Sequence, residues 1–295
     1  MVIELVTQYQ PYVDELFTAE SKKGILTNQD LTWTGAHTVK VYKVGTAAMQ
    51  DYGRSGAAEG NWSRYGSVGS LEATTEEFTL SKDRSFTFVI DALDSEETGG
   101  ALAAASALAR QVREVVIPEV DTYTYSRMIA GAGFKPAKDS DKVTLTAANI
   151  YGEIIKASTA LDDEDIPDTE RVLVVTPAVY QLMKESDDII MNTDIGADMR
   201  LKGIISNLDG MQVVKVSANR LPKTFQFMLA HPSATVAPVK LEDYRTHSNP
   251  PGINGDLVEG RICYDAFVLE NKKKGIYYME RPLTAEEQKA AEQTA

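Results

Sequence analysis

"RICYDAFVLENKKKGIYYME", Arg261 to Glu280, encloses three lysines, Lys272, Lys273 and Lys274, between two runs of β-branched and aromatic residues. Two apolar runs around a short polar segment predict a hairpin of strands. The triplet inside it is then either a turn or a basic surface. "ENKKKG" contains the turn formers Asn271 and Gly275, and three consecutive lysines project in different directions instead of converging on one phosphate-sized pocket. Turn chemistry with protection of a strand edge is the favoured reading. A lysine patch that meets an acidic surface on another copy of the chain is the alternative.

That alternative draws weight from the rest of the molecule. Forty-three acidic against thirty basic residues give a formal charge of −13 over 295 residues. Such a balance repels phosphate backbones and anionic lipid heads, so direct nucleic-acid binding is disfavoured as the main task. Cys263 is the sole cysteine, which excludes an internal disulfide framework and any multi-cysteine zinc site and fits a reducing compartment. The start, "MVIELVTQYQPYVDELF", carries Glu4, Asp14 and Glu15 where a secretory leader would be basic, and no apolar run approaches the roughly 20 residues of a bilayer span.

Outward from the quoted stretch, the chain divides by composition. Residues 1–32 have no sustained period and read as an extended arm unable to hold a core of its own. Residues 33–91 read as a two-stranded β stalk, "TVKVYKVGTA" and "FTLSKDRSFTFVID", the latter as two strands around the turn Ser81 to Arg84. The stalk carries a tip with Gly45, Gly53, Gly56, Gly60, Gly66 and Gly69, too rich in glycine for regular structure and too poor in aliphatic residues for a core. Residues 92–143 hold the most strongly helical stretch, with Ser95 as N-cap, Leu102, Ala105, Ala109, Val112, Val116 and Tyr123 as its apolar stripe, Asp121 on the polar side, and Pro118 as an interruption.

Residues 144–235 follow a different grammar: the helix "TAANIYGEIIKASTALDD", the doubly buried strand "RVLVVTP", a helix opened by Pro177, then "MQVVKVS" and "FQFMLAHPSATVAPVKLE". They predict a compact α/β unit. Residues 236–282 return through the turn-dense "HSNPPGINGDLVEG" to the quoted strands, and residues 283–295 read as an exposed helix or loose end with no apolar face to dock. The fold class is α+β.

Catalytic patterns are sparse. "GRSGA" at Gly53 to Ala57 lacks the last glycine and the strand-turn-helix setting of a nucleophile elbow. "GAGFKP" at Gly131 lacks a third glycine and follows a helix, so it fails as a dinucleotide fingerprint. His37, His231 and His247 stand apart, and "DDED" at Asp162 to Asp165 lacks the alternating ligands and central glycine of a calcium loop and reads as a solvated turn. No catalytic, cofactor-binding or metal-binding residue is assigned, and no cofactor is expected.

The order of parts, with "RVLVVTPAVYQLMKES", "LDGMQVVKVSANRLP" and "GRICYDAFVLENKKKGIYYME" at their spacing, resembles the major capsid proteins of tailed phages, whose Hong-Kong-97-type fold is shared with encapsulins. The resemblance covers almost the whole chain. It implies an N-terminal arm, an extended β-hairpin loop, a peripheral domain with a long spine helix and an axial α/β domain. It also implies a structural protein and not an enzyme: pentamers and hexamers closing into an icosahedral shell around a double-stranded DNA genome, located in the virion and assembled in the host cytoplasm. A separate scaffolding protein, a portal and decoration proteins are the implied partners, with DNA touched only non-specifically and no membrane.

Arg54, Trp62, Arg64 and Tyr65 in the glycine-rich tip are the candidate contacts between subunits, joined by Lys272, Lys273 and Lys274. Some members of the family join the loop to a neighbour by a Lys-Asn isopeptide bond. Lys40, Lys43 and Lys82 fall on the expected stalk, but no local motif selects one, and the reaction is not transferred. No charge-rich helical leader precedes the arm, which suggests separate scaffold help or a chain already mature. The competing readings are an encapsulin-like compartment, a tail or adhesion component, and an α/β hydrolase or transferase with a mobile glycine-rich lid.

Overall fold

A computed structural model describes residues 21–28, 38–56, 62–68, 70, 73–93, 104–191, 207–284, 287 and 289. Two compact units emerge, Gly35–Leu80 and the remainder of the chain.

The larger unit is organised around a five-stranded sheet in the order β12-β7-β4-β6-β5. Its members are β4 (Val172–Val175), β5 (Asn207–Leu208), β6 (Met211–Lys215), β7 (Phe225–Ala230) and β12 (Ile276–Glu280). The expectation for "RVLVVTP" holds: all four β4 residues are buried, because both faces of the sheet are covered. Leu173 and Val175 pack with Phe227 and Leu229 against Ile154, Ala157 and Leu161 of α4 (Ile150–Asp162) and Val179 and Met183 of α5 (Pro177–Glu185). Val172 and Val174, on the opposite pleat, pack with Met228 and Ile276 against Tyr125 and Met128 of the spine helix. Helix α5 starts where proline predicts, with Thr176 as N-cap accepting from the Val179 amide at 3.3 Å, and α6 (Asp187–Met191) follows.

The spine helix runs as α2 (Ala104–Gln111), a π turn (Val112–Val116) and α3 (Ile117–Gly131). The interruption expected from Pro118 takes the form of that π turn, in which the Ile117 amide donates to the Val112 carbonyl five residues back. Proline lacks a donor and crowds the carbonyl four residues behind it, and a wider turn relieves both. Ser95 and Leu102 lie outside the described residues. The buried stripe passes through Ala104, Leu108, Val112, Val116 and Val120, so Ala105 and Ala109 are half-buried flanks. Asp121 is a correction: it lies on the core face and is fully buried.

The first half of the spine covers a three-stranded antiparallel sheet, β3-β10-β9, formed by β3 (Lys82–Asp91), β9 (Val239–Ser248) and β10 (Gly255–Tyr264). The quoted stretch is therefore not a hairpin. Its first run ends β10 in this sheet, β11 (Phe267–Val268) pairs with β8 (Thr235–Val236), and its last run is β12 at the edge of the five-stranded sheet. The turn-dense "HSNPPGINGDLVEG" makes the real hairpin, between β9 and β10, with Asn249 and Gly252 at positive φ.

Residues 21–28 are not free either. A short turn, α1 (Lys23–Leu26), inserts Leu26 into the core beside Tyr125, and the Asn28 amide donates to the Thr235 carbonyl at 2.7 Å. Complete burial of one leucine is worth about 2 kcal/mol, enough to offset ordering part of so short a segment. The rest of the expected arm, residues 1–20 and 29–32, lies outside the described residues.

The smaller unit, Gly35–Leu80, is shorter than the stalk expected over residues 33–91. β1 (Thr38–Val44) and β2 (Ala73–Thr79) pair antiparallel from Thr38↔Thr79 to Val44↔Ala73. The third strand assigned to it from sequence, β3, pairs instead with β10, so Ser81 to Arg84 is no hairpin turn between β2 and β3.

Candidate functional site

Four of the seven sequence-nominated contact residues, Arg54, Trp62, Arg64 and Tyr65, come together at the tip of the stalk. Among its described residues the tip is ordered by hydrogen bonds although it has no regular structure. The Gly53 amide donates to the Arg64 carbonyl at 2.9 Å. Gln50 clasps Ser67 through three bonds: its Oε1 accepts from the Ser67 amide at 2.6 Å, and its Nε2 donates to the Ser67 hydroxyl and carbonyl. Gly66 sits at φ +90° beneath this clasp, where a Cβ would fall 1.8 Å from Gln50 Oε1, so glycine is required twice over. Gln50 was missed from sequence because a lone glutamine among glycines has no period to betray it.

The clasp presents apolar surface to solvent. Met49 is 100 % exposed, Trp62 86 % and Tyr65 79 %, with Tyr52 set edge-on to Tyr65 at a centroid distance of 5.0 Å. Arg54 and Arg64 are exposed beside them, and neither forms an ion pair among the described residues. Large uncovered aromatics, with guanidiniums beside them that have no ion pair among the described residues, have the composition of a protein contact surface.

Lys272, Lys273 and Lys274 lie in the other unit, in a 3-10 turn (Glu270–Gly275). Lys273 pairs with Glu270 at 3.1 Å and Lys274 with Glu164 at 2.6 Å. The turn also seats the end of the spine helix: the Gly133 amide donates to the Lys273 carbonyl at 2.8 Å, and a Cβ at Gly133 would meet backbone atoms of Lys273 and Lys274 at 2.6 to 2.8 Å. The turn reading of the triplet matches this geometry. Lys82, expected on the stalk, stands instead on β3 with its ammonium over the Tyr123 ring.

Two buried carboxylates join elements far apart in sequence. Asp121 accepts from the Ser21 hydroxyl at 2.7 Å and from Arg220 Nη1 at 2.8 Å. Burial raises its pKa against the pull of those partners, while burial lowers the pKa of neighbouring Lys23. Asp265, between β10 and β11, accepts from the Ser81 amide, the Ser81 hydroxyl and the Tyr123 hydroxyl, each at 2.8 Å. Both are structural clamps.

Histidine chemistry is equally local. His231 Nδ1 accepts from the Ser233 amide at 3.2 Å and lies 2.8 Å from its hydroxyl, capping the turn Pro232–Ala234. His37 lies outside the described residues. No group of three or more His, Cys, Asp or Glu side chains among the described residues is placed to hold a metal, and no helix among them is long and apolar enough to cross a membrane. A groove of about 490 Å³ on the β3-β10-β9 sheet is lined by ions already paired, Arg261 with Asp83 and Arg245 with Asp243, both at 2.6 Å.

No protein-family model matches the chain, and no curated protein does. Solved structures do. One from Mycobacterium phage Che8 superposes with a TM-score of 0.65 at 19 % identity, over 83 % of this chain and 85 % of that one. A capsid structure of the cyanophage P-SCSP1u gives 0.63 at 14 % identity, over 86 % of each chain. A virus-like particle from Pyrococcus furiosus gives 0.55 at 12 % identity, over 92 % of this chain and 98 % of that one. At these identities the likeness speaks to architecture alone: the chain mixes helix and sheet in the Hong-Kong-97-type capsid fold.

Proposed function

We propose that this chain is the shell-forming subunit of a tailed-phage head, a major capsid protein. Many copies associate through pentamers and hexamers into an icosahedral shell that encloses double-stranded DNA, and the protein acts as structure and not as an enzyme. The observation that carries the proposal is the ordered tip of the stalk, with Met49, Trp62 and Tyr65 uncovered, on a fold shared with a phage capsid. Covering large apolar side chains contributes about 1.5 to 3 kcal/mol each, so a neighbour that covers three of them gains several kcal/mol at every contact. A contact of that kind between unlike surfaces repeats from copy to copy and closes into rings. Arg54 and Arg64 would meet carboxylates of the neighbour, and Lys272, whose ammonium has no ion pair among the described residues, would add a weaker, salt-sensitive one.

The charge of −13 supports an inner wall along which packaged DNA slides without sticking. In this reading the protein resides in the virion after assembly in the host cytoplasm, with a scaffolding protein, a portal and decoration proteins as partners.

The encapsulin-like compartment is the second reading, favoured by the match over almost the full length of the Pyrococcus furiosus particle. Negative-stain microscopy of the purified chain at high concentration tests both. Uniform closed shells, or rings of five and six, are expected. Particles of monomer size at every concentration, with no shells on co-expression with head-assembly genes, would overturn the shell reading. Shells that never package DNA in that co-expression and instead hold a protein cargo would favour the compartment.

A further inference from the structure

The two ends of strand β4 carry opposite chemistry. At its amino end lies the loop 162–170, with six carboxylates. Two are paired, Asp162 with Arg171 and Glu164 with Lys274. Asp163, Asp165, Asp168 and Glu170 are exposed and form no ion pair among the described residues. This loop is braced from within: the buried Arg171 guanidinium donates to the carbonyls of Pro167 at 2.8 Å and Ile166 at 2.5 Å and to the Ser158 hydroxyl at 3.1 Å. A loop held in place before binding loses little entropy on contact.

At the carboxyl end of β4, where it lies parallel to β6, is a groove of about 730 Å³. Crevices at the carboxyl ends of parallel strands are where open α/β sheets receive their ligands. Leu145, Leu182 and Pro222 form apolar walls. Ala178, the second residue of α5, faces the groove with an amide that has no partner among the described residues, since Pro177 has none to give and the Val179 amide is taken by Thr176. Lys223 adds an ammonium with no ion pair among the described residues. Gln226, in the middle of the apolar "FQFMLA", is only 7 % exposed, yet its carboxamide lines the groove and makes no hydrogen bond among the described residues. Its amide can donate to an entering carbonyl or carboxylate. The one acid at the rim, Glu287, is neutralised by Arg281 at 2.7 Å.

We propose that the groove seats the acidic loop of a second copy of this chain, so that carboxylates of residues 163–170 in one copy meet Ala178, Lys223 and Gln226 of the next. The four β4 residues, at about 3.3 Å each, place roughly 13 Å of buried strand between loop and groove in one molecule, so the contact is between copies. It joins two different surfaces head to tail, the arrangement that closes into rings. It also reconciles association with a chain of charge −13, because it sets acidic groups against donors that have no ion pair among the described residues. The inference rests on the shell reading and adds a second contact, separate from the stalk.

The test is a disulfide trap in full-length protein. In a Cys263→Ser background, Asp165→Cys and Lys223→Cys are combined and the protein is oxidised at assembling concentrations, with each single substitution as control and circular dichroism as the check of folding. A ladder of linked multimers on a denaturing, non-reducing gel is expected from the double variant alone. In parallel, Lys223→Glu should reduce assembly at least tenfold and Asp165→Lys in the same chain should restore part of it. Shells or rings that form normally while the trap gives only monomer and Lys223→Glu has no effect would overturn this contact and leave the shell reading standing. A parent protein that remains monomeric under every condition would overturn both.

Discussion

Arg220 Nη1 stands 2.8 Å from Oδ2 of Asp121, a fully buried carboxylate at the centre of the spine helix, and the same carboxylate receives the Ser21 hydroxyl. One acid thus ties the segment 21–28 and the loop after β6 to the spine.

Removal of the partner should cost more than the pair itself is worth, because it leaves a buried charge. Arg220→Ala is expected to lower unfolding free energy by about 3 kcal/mol in urea titrations. The pH dependence has a definite sign. Burial raises the Asp121 pKa, so its contribution is fully present below the unfolded value near about 3.9 and is lost as pH rises through the folded value. Asp121→Asn should flatten that slope, and an unchanged slope would assign it to other groups.

Two glycines predict opposite outcomes. At Gly133 an added Cβ would meet backbone of Lys273 and Lys274 at 2.6 to 2.8 Å, and backbone cannot rotate aside. Gly133→Ala should destabilise by about 2 kcal/mol. Gly152, in α4, has open space around its Cβ position. Gly152→Ala should stabilise by up to about 1 kcal/mol through helix propensity. Thermal melts check the pair, and a Gly133→Ala variant as stable as the parent would show that the lysine turn does not pack against Gly133.

Deletion of residues 53–69 should leave a soluble, folded protein whose melting transition changes little but which no longer assembles, because the tip belongs to the unit Gly35–Leu80 and not to the main cores. Unfolding of the truncated protein would show that the tip supports its own chain.

The expectation of an undocked tail meets a polar exception. Thr284 and Glu287 form a capping box: the Glu287 amide points at Thr284 Oγ1, and Glu287 accepts from the Thr284 amide at 2.9 Å. Arg281 grips the same carboxylate with two bonds of 2.7 Å and holds its pKa down at about 2. The anchoring is present above the ordinary carboxylate value and lost as pH falls through about 2. Carboxyl NMR should report a Glu287 midpoint near that value, and Arg281→Ala should return it toward the ordinary range.

Local features were legible in the sequence because local sterics and burial decide them. The unbroken "VLVV" is a doubly covered strand, Pro177 starts a helix, Pro118 disturbs one, and glycines mark the tip. Trp62, Tyr65, Arg54 and Arg64 could be gathered at one tip from their spacing alone, since they lie within eleven residues of each other on a stalk. The order of these parts was enough to suggest the architecture.

Strand partners were not legible. Arg261 to Glu280 has the pattern of a hairpin, yet its two runs enter different sheets, because hydrogen bonding along a strand edge is identical for every partner and only the packed faces select among them. Nor could periodicity place Asp121 in the core, since its burial is made tolerable by Ser21 and Arg220, each about a hundred residues away. Sequence by itself determined the elements, the charge and the glycine-rich tip; tertiary structure alone decided which strands pair, which acids are buried and where donors are left without partners, because those depend on groups that meet only when distant segments pack.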